Sequence, residues 1–267
     1  AEKLNYLILF PVLLFNNLAY VKFEGATLTQ VLLALVIIII MSSLILWLAR
    51  AFFHMPVARF GVYVQSQIRF NTYIGLSIMS LLFGAQGMQM FAMMIALAIP
   101  LVNVISVLAF SQGQGLKPRQ ILFSVIKNPL ILGCVVGIIF NLLQLSLFSG
   151  LEQLLKFLAS MSLPLGLISV GAALQFAQLK HDYMRLLLNT LGRLIVVPCL
   201  AYLICSMLNL NEFETIILVV FCSLPTASAA YILTRYFNGD SQLMAGVISL
   251  QTLCFAFTFP VLMILLT

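Results

Sequence analysis

The chain has 267 residues and a net charge of +6; 63% of its residues are hydrophobic and 7% are charged. A soluble domain carries about 25% charged residues, so a soluble enzyme or binding module is excluded. Charge-poor runs such as "LTQVLLALVIIIIMSSLILWLA" recur along the chain, each close to the roughly 20 residues that a membrane-spanning helix needs. The composition describes an all-α polytopic membrane protein.

Nine spans are expected in chain order, near 4–20, 28–49, 58–83, 87–110, 121–145, 152–176, 183–207, 213–236 and 242–266, joined by short loops. The opening, "AEKLNYLILF", does not have the shape expected of a signal peptide. Cations at the span ends divide unequally between the two sides. Lys3, Arg50, Arg59, Lys117, Arg119, Lys127, Lys180, Arg185 and Arg235 fall on one side, Lys22 and Lys156 on the other. The positive-inside rule makes the first side cytoplasmic and places Thr267 on the outer face. It also accounts for the positive charge without a nucleic-acid partner. Cys134, Cys199, Cys205, Cys222 and Cys254 lie in apolar runs without metal-ligand spacing and read as small buried hydrophobes. His54 and His181 fall in loops.

A shift of 154 positions lays "FNTYIGLSIMSLLFGAQG" over "LPTASAAYILTRYFNGDS". Thr72 then meets Thr226, Ile78 meets Ile232, Phe83 meets Phe237 and Asn71 meets Pro225; a shift of 153 pairs Pro11 with Pro164 and Lys3 with Lys156. The third and eighth spans enter from opposite sides, so the pattern is that of an inverted repeat, a common transporter plan. Two five-span units require ten spans, and the expectation here is nine, with the first missing.

Asn71 and Pro225 each lie about a dozen residues into their span, near the midplane. A mid-helix proline removes an N–H and clashes with the preceding turn. Asn71-Thr72 with nearby Gly75 offers a softer break. Irregular backbone at that depth is tolerated only where protein or a watery cavity meets it. Half-helices starting near Thr72 and Thr226 would aim free N–H groups at the midplane and favour an anion, with hydroxyls added by Thr72, Ser223, Thr226 and Ser228. The plain alternative is a kink healed by neighbouring serines. Arg69 lies about 15 Å from the expected cytoplasmic end; it could pair with an anionic substrate or neutralise the half-helix that stops at Asn71. Gln65 and Gln67 beside it should not face lipid. Arg193 is expected to snorkel to the interface. Asn103 and Gln251 are expected to tie helices together, while Asn16 and Asn17 are balanced between that and ligand binding. All seven carboxylates, Glu2, Glu24, Glu152, Asp182, Glu212, Glu214 and Asp240, fall at or beyond span ends. A cation antiporter built on a buried aspartate pair is thereby disfavoured. Enzyme motifs are absent, and no cofactor or metal is expected.

At these residues the sequence resembles the auxin efflux carrier family, which includes bacterial carriers and the plant PIN-type auxin exporters. The resemblance is carried by "RFNTYIG", "PLVNVISV", "KNPLILGCVVGI", "SLPLGLISVGAAL" and "SLPTASAAYILTRYFNGDSQLMAGVISLQTL". It implies inverted five-helix repeats with two crossed broken helices, as in bile-acid symporters, and elevator-type motion. Residues 1–22 and 118–177 would form the scaffold domain, with homodimer contact through it, and 27–112 and 180–267 the transport domain. Asn71 and Pro225 become the crossover positions, and Asn16 and Asn17 face substrate from the scaffold. Many relatives have a proline where Ser77 stands, so the first crossover is expected to be less sharply broken. The short loop "SQGQGLKPR" points to a bacterial member. The resemblance implies a secondary carrier of a small organic anion, such as a dicarboxylate or auxin-like carboxylate, in the bacterial inner membrane. The rivals are a sodium-coupled symporter and a ligand sensor that moves nothing.

The charge asymmetry predicts that a cysteine placed in "SQGQG" is labelled only from the cytoplasm and one after Thr267 only from outside. Reversed labelling would invert the orientation.

Overall fold

A computed structural model describes residues 4–20, 25–110, 129–172, 174 and 182–266. Every regular element among them is helical. α1 (Asn5–Ala19) is followed by α2 (Gly25–Phe53), α3 (Val57–Ile68), α4 (Thr72–Leu82) and α5 (Gly84–Phe110). α6 (Pro129–Leu142), α7 (Ser149–Ala172), α8 (Tyr183–Met207), α9 (Glu212–Ser223), α10 (Ala229–Tyr236) and α11 (Ser241–Leu266) complete the order. Lys3, Lys22, Lys117, Arg119, Lys127, Lys180, His181, Glu2, Glu24 and Thr267 lie outside the described residues.

Five stretches are long and apolar enough to cross a membrane: Thr29–Phe53, Gly84–Phe110, Ser149–Ala172, Tyr183–Met207 and Ser241–Leu266. α1 and α6 are shorter apolar helices. The third and eighth expected spans are each divided in two, α3 with α4 and α9 with α10. Proline does not decide where division occurs. Pro100, Pro164 and Pro260 each sit inside an unbroken helix, and the gap between α3 and α4 contains no proline.

Polar residues set the helix ends. The Asn211 side chain accepts from Glu214 N–H at 2.9 Å, and Glu214 accepts from Asn211 N–H at 3.2 Å, a reciprocal cap that starts α9. Asp240 accepts from Leu243 N–H at 3.0 Å and starts α11. Left-handed His54, Gln144, Asp182, Asn209 and Asn238 mark turns, as expected for His54. At one end of the bundle Arg59 joins Asp182 at 3.2 Å and Asp240 at 3.1 Å, and Arg185 joins Asp182 at 2.9 Å. This gathers the starts of α3, α8 and α11. Every described carboxylate lies at a helix start.

The five cysteines are free. Cys134, Cys205 and Cys222 are buried as expected, whereas Cys199 is exposed. It sits on the outward side of α8, among lipid-compatible residues such as Ile195 and Val196 that are exposed too.

Close backbone approaches fix α1. A Cβ at Gly133 would meet the Pro11 carbonyl oxygen at 2.5 Å, and one at Gly137 the Phe15 carbonyl oxygen at 3.0 Å, so α1 and α6 cross backbone to backbone. Asn5 donates to the Ser162 carbonyl at 3.0 Å and accepts from the Ser162 hydroxyl at 2.9 Å, tying α1 to α7. Gly133→Ala should lower stability by about 1–3 kcal/mol, because its neighbour is backbone and cannot rotate away. Gly171→Ala, with nothing within 4 Å, should match or exceed wild type. Melting of the two purified variants checks this; equal effects would contradict the packing.

Candidate functional site

The two divided spans meet at their gaps. α3 ends at Ile68, Arg69 turns extended (φ −77, ψ 147), and α4 starts after Asn71 (φ −80, ψ 99). α9 ends at Ser223, Leu224 turns out (φ −57, ψ 140), and α10 starts only at Ala229. Asn71 N–H donates to the Pro225 carbonyl across 2.7 Å. The Asn71 side-chain oxygen accepts from Tyr73 N–H at 3.2 Å and Ile74 N–H at 3.3 Å. One residue thus caps its own half-helix and bonds the other gap, which is why this break forms without proline. It is a full break, contrary to the softer one expected from Ser77, whose hydroxyl simply donates to the Tyr73 carbonyl at 2.9 Å. The rings of Phe70 and Phe221 pack with centroids 4.3 Å apart, tilted by 47°, beside the junction. Gly75 leaves room for Phe91 and Leu224: a Cβ there would stand 2.2 Å and 2.7 Å from them.

Side chains from α8 and α11 occupy further backbone groups at the gaps. Arg193, 2% exposed, donates from Nε to the Leu224 carbonyl at 2.7 Å and from Nη1 to the Gln67 carbonyl. It does not snorkel. The last carbonyls of two half-helices carry partial negative charge and attract the guanidinium more strongly than the interface does. Arg193 falls in a π-helical turn, Gly192–Val196, a local departure common at functional sites. Gln251 accepts from Thr226 N–H at 2.9 Å and donates to the Asn189 side chain at 3.0 Å. Asn189 donates to the Ser66 hydroxyl at 2.8 Å, and its carbonyl accepts from Gln67 at 2.8 Å. Gln65 donates to the Ala230 carbonyl at 3.1 Å and to the Thr234 hydroxyl. The polar start of the third span is therefore spent on α8 and α10.

Arg69 turns to α5. Its Nη2 donates to Asn103 at 2.7 Å and its Nε to Ser106 at 3.3 Å. Neutralising the half-helix end falls to Arg193 instead, and the described polar partners of the Arg69 side chain are Asn103 and Ser106 of α5. Asn103 and Gln251 tie helices, as expected. Asn71, Ser223, Pro225 and Thr226 are buried, and Thr72 and Ser228 partly so. The Ser223 hydroxyl donates to Val220 of its own helix at 2.8 Å and does not reach the gap. Thr226 does not start a half-helix, since α10 begins at Ala229; its N–H donates to Gln251 and its hydroxyl is buried without a partner. α1 meets the first break through Phe10, whose ring lies 4.9 Å from that of Tyr73. Asn16 and Asn17 lie roughly 10 Å further along α1. Asn17 donates to Leu13 in its own helix at 2.9 Å, and the Asn16 amide nitrogen is buried and unpaired. Asn189 was not singled out by sequence; its only signal is the four-residue spacing from Arg193 on one helix face.

A family model of membrane transport proteins, the auxin efflux carriers, matches residues 117–263. The chain belongs to this family. An uncharacterized transporter from Methanocaldococcus jannaschii is 27% identical over 157 residues, 58% of this chain and 49% of the relative. The chain spans about half the length of that curated relative. The family is one of membrane transport proteins, and the described residues of this chain include five helices long and apolar enough to cross a membrane. The family match takes in the second gap, Arg193 and Gln251, and lies beyond the first gap at Asn71.

Gln251→Leu should cost about 2–4 kcal/mol, since it strands the buried Thr226 N–H and the Asn189 oxygen. Ser223→Ala removes only a bond within one helix and should cost about 1 kcal/mol or less. Denaturation in detergent checks both; equal losses would contradict the tie.

Proposed function

We propose that the chain is a secondary carrier of a small organic anion, with the crossing of the two broken spans as its substrate site. The observation that carries this reading is the 2.7 Å bond between Asn71 N–H and the Pro225 carbonyl. It brings together two gaps that the 154-residue shift had related in sequence, the arrangement expected of crossed half-helices in an inverted repeat. On this reading nine spans are present, and each broken pair is one of them. Residues 27–112 and 180–267 move as a transport domain against a scaffold of 1–22 and 118–177, carrying the site between faces in an elevator-like step. The scaffold is also where a homodimer would form, and the cation-rich side is cytoplasmic in a bacterial inner membrane.

Arg69 is the anion partner. Asn103 and Ser106 hold its guanidinium beside the break, and no described carboxylate pairs with it. The unpartnered Thr226 hydroxyl, with Thr72 and Ser228, supplies neutral donors, while the unpaired Asn16 amide lies on α1 away from the crossing. Pro225 keeps the second gap open while its carbonyl holds Asn71. The absence of acids at the described breaks suits a substrate that carries the negative charge itself.

Purified protein in liposomes should support counterflow of a carboxylate from a panel of mono- and dicarboxylates. Arg69→Gln should raise the half-saturating concentration about tenfold or more, with melting close to wild type. No counterflow with any member of the panel contradicts a carrier, and unchanged saturation by Arg69→Gln contradicts its role.

A further inference from the structure

Resting on the anion-carrier reading above, we infer that Arg193 sets the sign of the helix-end charge at the crossing, and that Ser42 is the position from which the Arg193 charge can be cancelled. Four helix ends meet at the two gaps. α3 and α9 end there, and α4 and α10 begin there. Each end carries roughly half an elementary charge, negative where a helix ends and positive where one begins. Left alone, the four ends cancel.

Arg193 breaks that balance because it touches only the negative pair. Its two bonds go to the carbonyls of Gln67 and Leu224, at the ends of α3 and α9. Buried as it is, its charge is weakly screened. The guanidinium offsets the two negative ends and leaves the two positive ends in excess, in addition to the Arg69 guanidinium that Asn103 and Ser106 hold beside the first gap. Neither positive end meets an acid among the described residues: Glu152, Asp182, Glu212, Glu214 and Asp240 all lie at the starts of other helices. Asn71 caps α4 with a neutral amide, and Ser228 gives α10 no side-chain cap. In the second gap the Thr226 hydroxyl, fully buried and unpartnered, is free to bond a ligand drawn there.

Ser42 of α2 lines the same cavity as Arg193. A cavity between α2, α3, α8 and α9 is lined by Ile39, Ser42, Gln67, Arg193, Val197 and Phe221, with room for about one water. Arg193 Nη2 and the Ser42 hydroxyl both border it, both are buried, and neither has a partner. A carboxylate introduced at Ser42 would share this cavity with Arg193, whose bonds to Gln67 and Leu224 lie on other nitrogens than Nη2. Ser42→Asp therefore cancels the charge and keeps the clamp; Arg193→Gln removes both. Arg193 acts through the helix ends and not by touching substrate, so it is a positioning residue whose signature is charge preference.

The test uses the full chain in liposomes, with acetate, succinate, malonate and indole-3-acetate as probes and their amides as uncharged competitors. Wild type should prefer a carboxylate over its amide. Ser42→Asp and Arg193→Gln should each reduce that preference about tenfold or more, while Ser42→Asn retains it and Ser42→Asp melts at or above wild type. Ser42→Asp that keeps the wild-type preference, or that fails to fold, overturns the inference whatever Arg193→Gln does. If wild type moves no carboxylate, the carrier reading fails and takes the inference with it. If wild type moves one and the variants keep its preference, the charge assignment alone is wrong.

Discussion

A helix opened inside a membrane must find partners for the backbone groups it releases, and in this chain one buried guanidinium takes a carbonyl from each of the two opened helices. An unsatisfied peptide group in hydrocarbon costs several kcal/mol, and two gaps release several. Arg193 takes the carbonyls of Gln67 and Leu224. Asn71 takes two N–H groups of α4 and gives its own to Pro225. Gln251 takes the N–H of Thr226. Each of these is a charge-assisted or buried bond whose loss leaves a stranded partner, so the gaps are held by mutual dependence and not by proline alone.

The same bonds decide which helices form a unit. α8 reaches both gaps through Asn189 and Arg193, α11 reaches one through Gln251, and α3 reaches α10 through Gln65. Against this polar knot, α1 and α7 approach α4 through rings and a glycine: Phe10 lies edge-on to Tyr73, and Gly166 leaves the space that Tyr73 fills. Apolar surfaces slide at lower cost than a bonded network breaks. In the proposed carrier, that difference places the sliding boundary between α1 with α7 on one side and the knot on the other.

Much of this was legible in the sequence, and the residues show why. Pro225 and Asn71 announced the gaps because proline and a midplane Asn-Thr oppose helix locally, and local chemistry is what sequence displays. Gln65, Gln67, Asn103 and Gln251 announced buried ties because amides do not face lipid. Arg193 was misread. Its distance from the interface allows snorkelling, and only the fold reveals that two half-helix ends point at it. Arg69 was half legible: its depth suggested function, but Asn103 and Ser106, which orient it, come from a helix more than thirty residues away. Thr226 was placed at the start of a half-helix that begins three residues later, at Ala229, and the acceptor on Gln251 that its N–H meets is a tertiary feature. Asn16 and Asn17 could be put on a helix but not at a distance from the gaps.

The central claim is that Arg193 binds the two opened helices to each other. An experimental density map of the purified protein in lipid, read at that side chain, tests it most directly. The account predicts helix gaps at 69–71 and 224–228, with the Arg193 guanidinium continuous with the carbonyls of Gln67 and Leu224. An Arg193 side chain extended to the membrane interface, beside two uninterrupted helices, would contradict it.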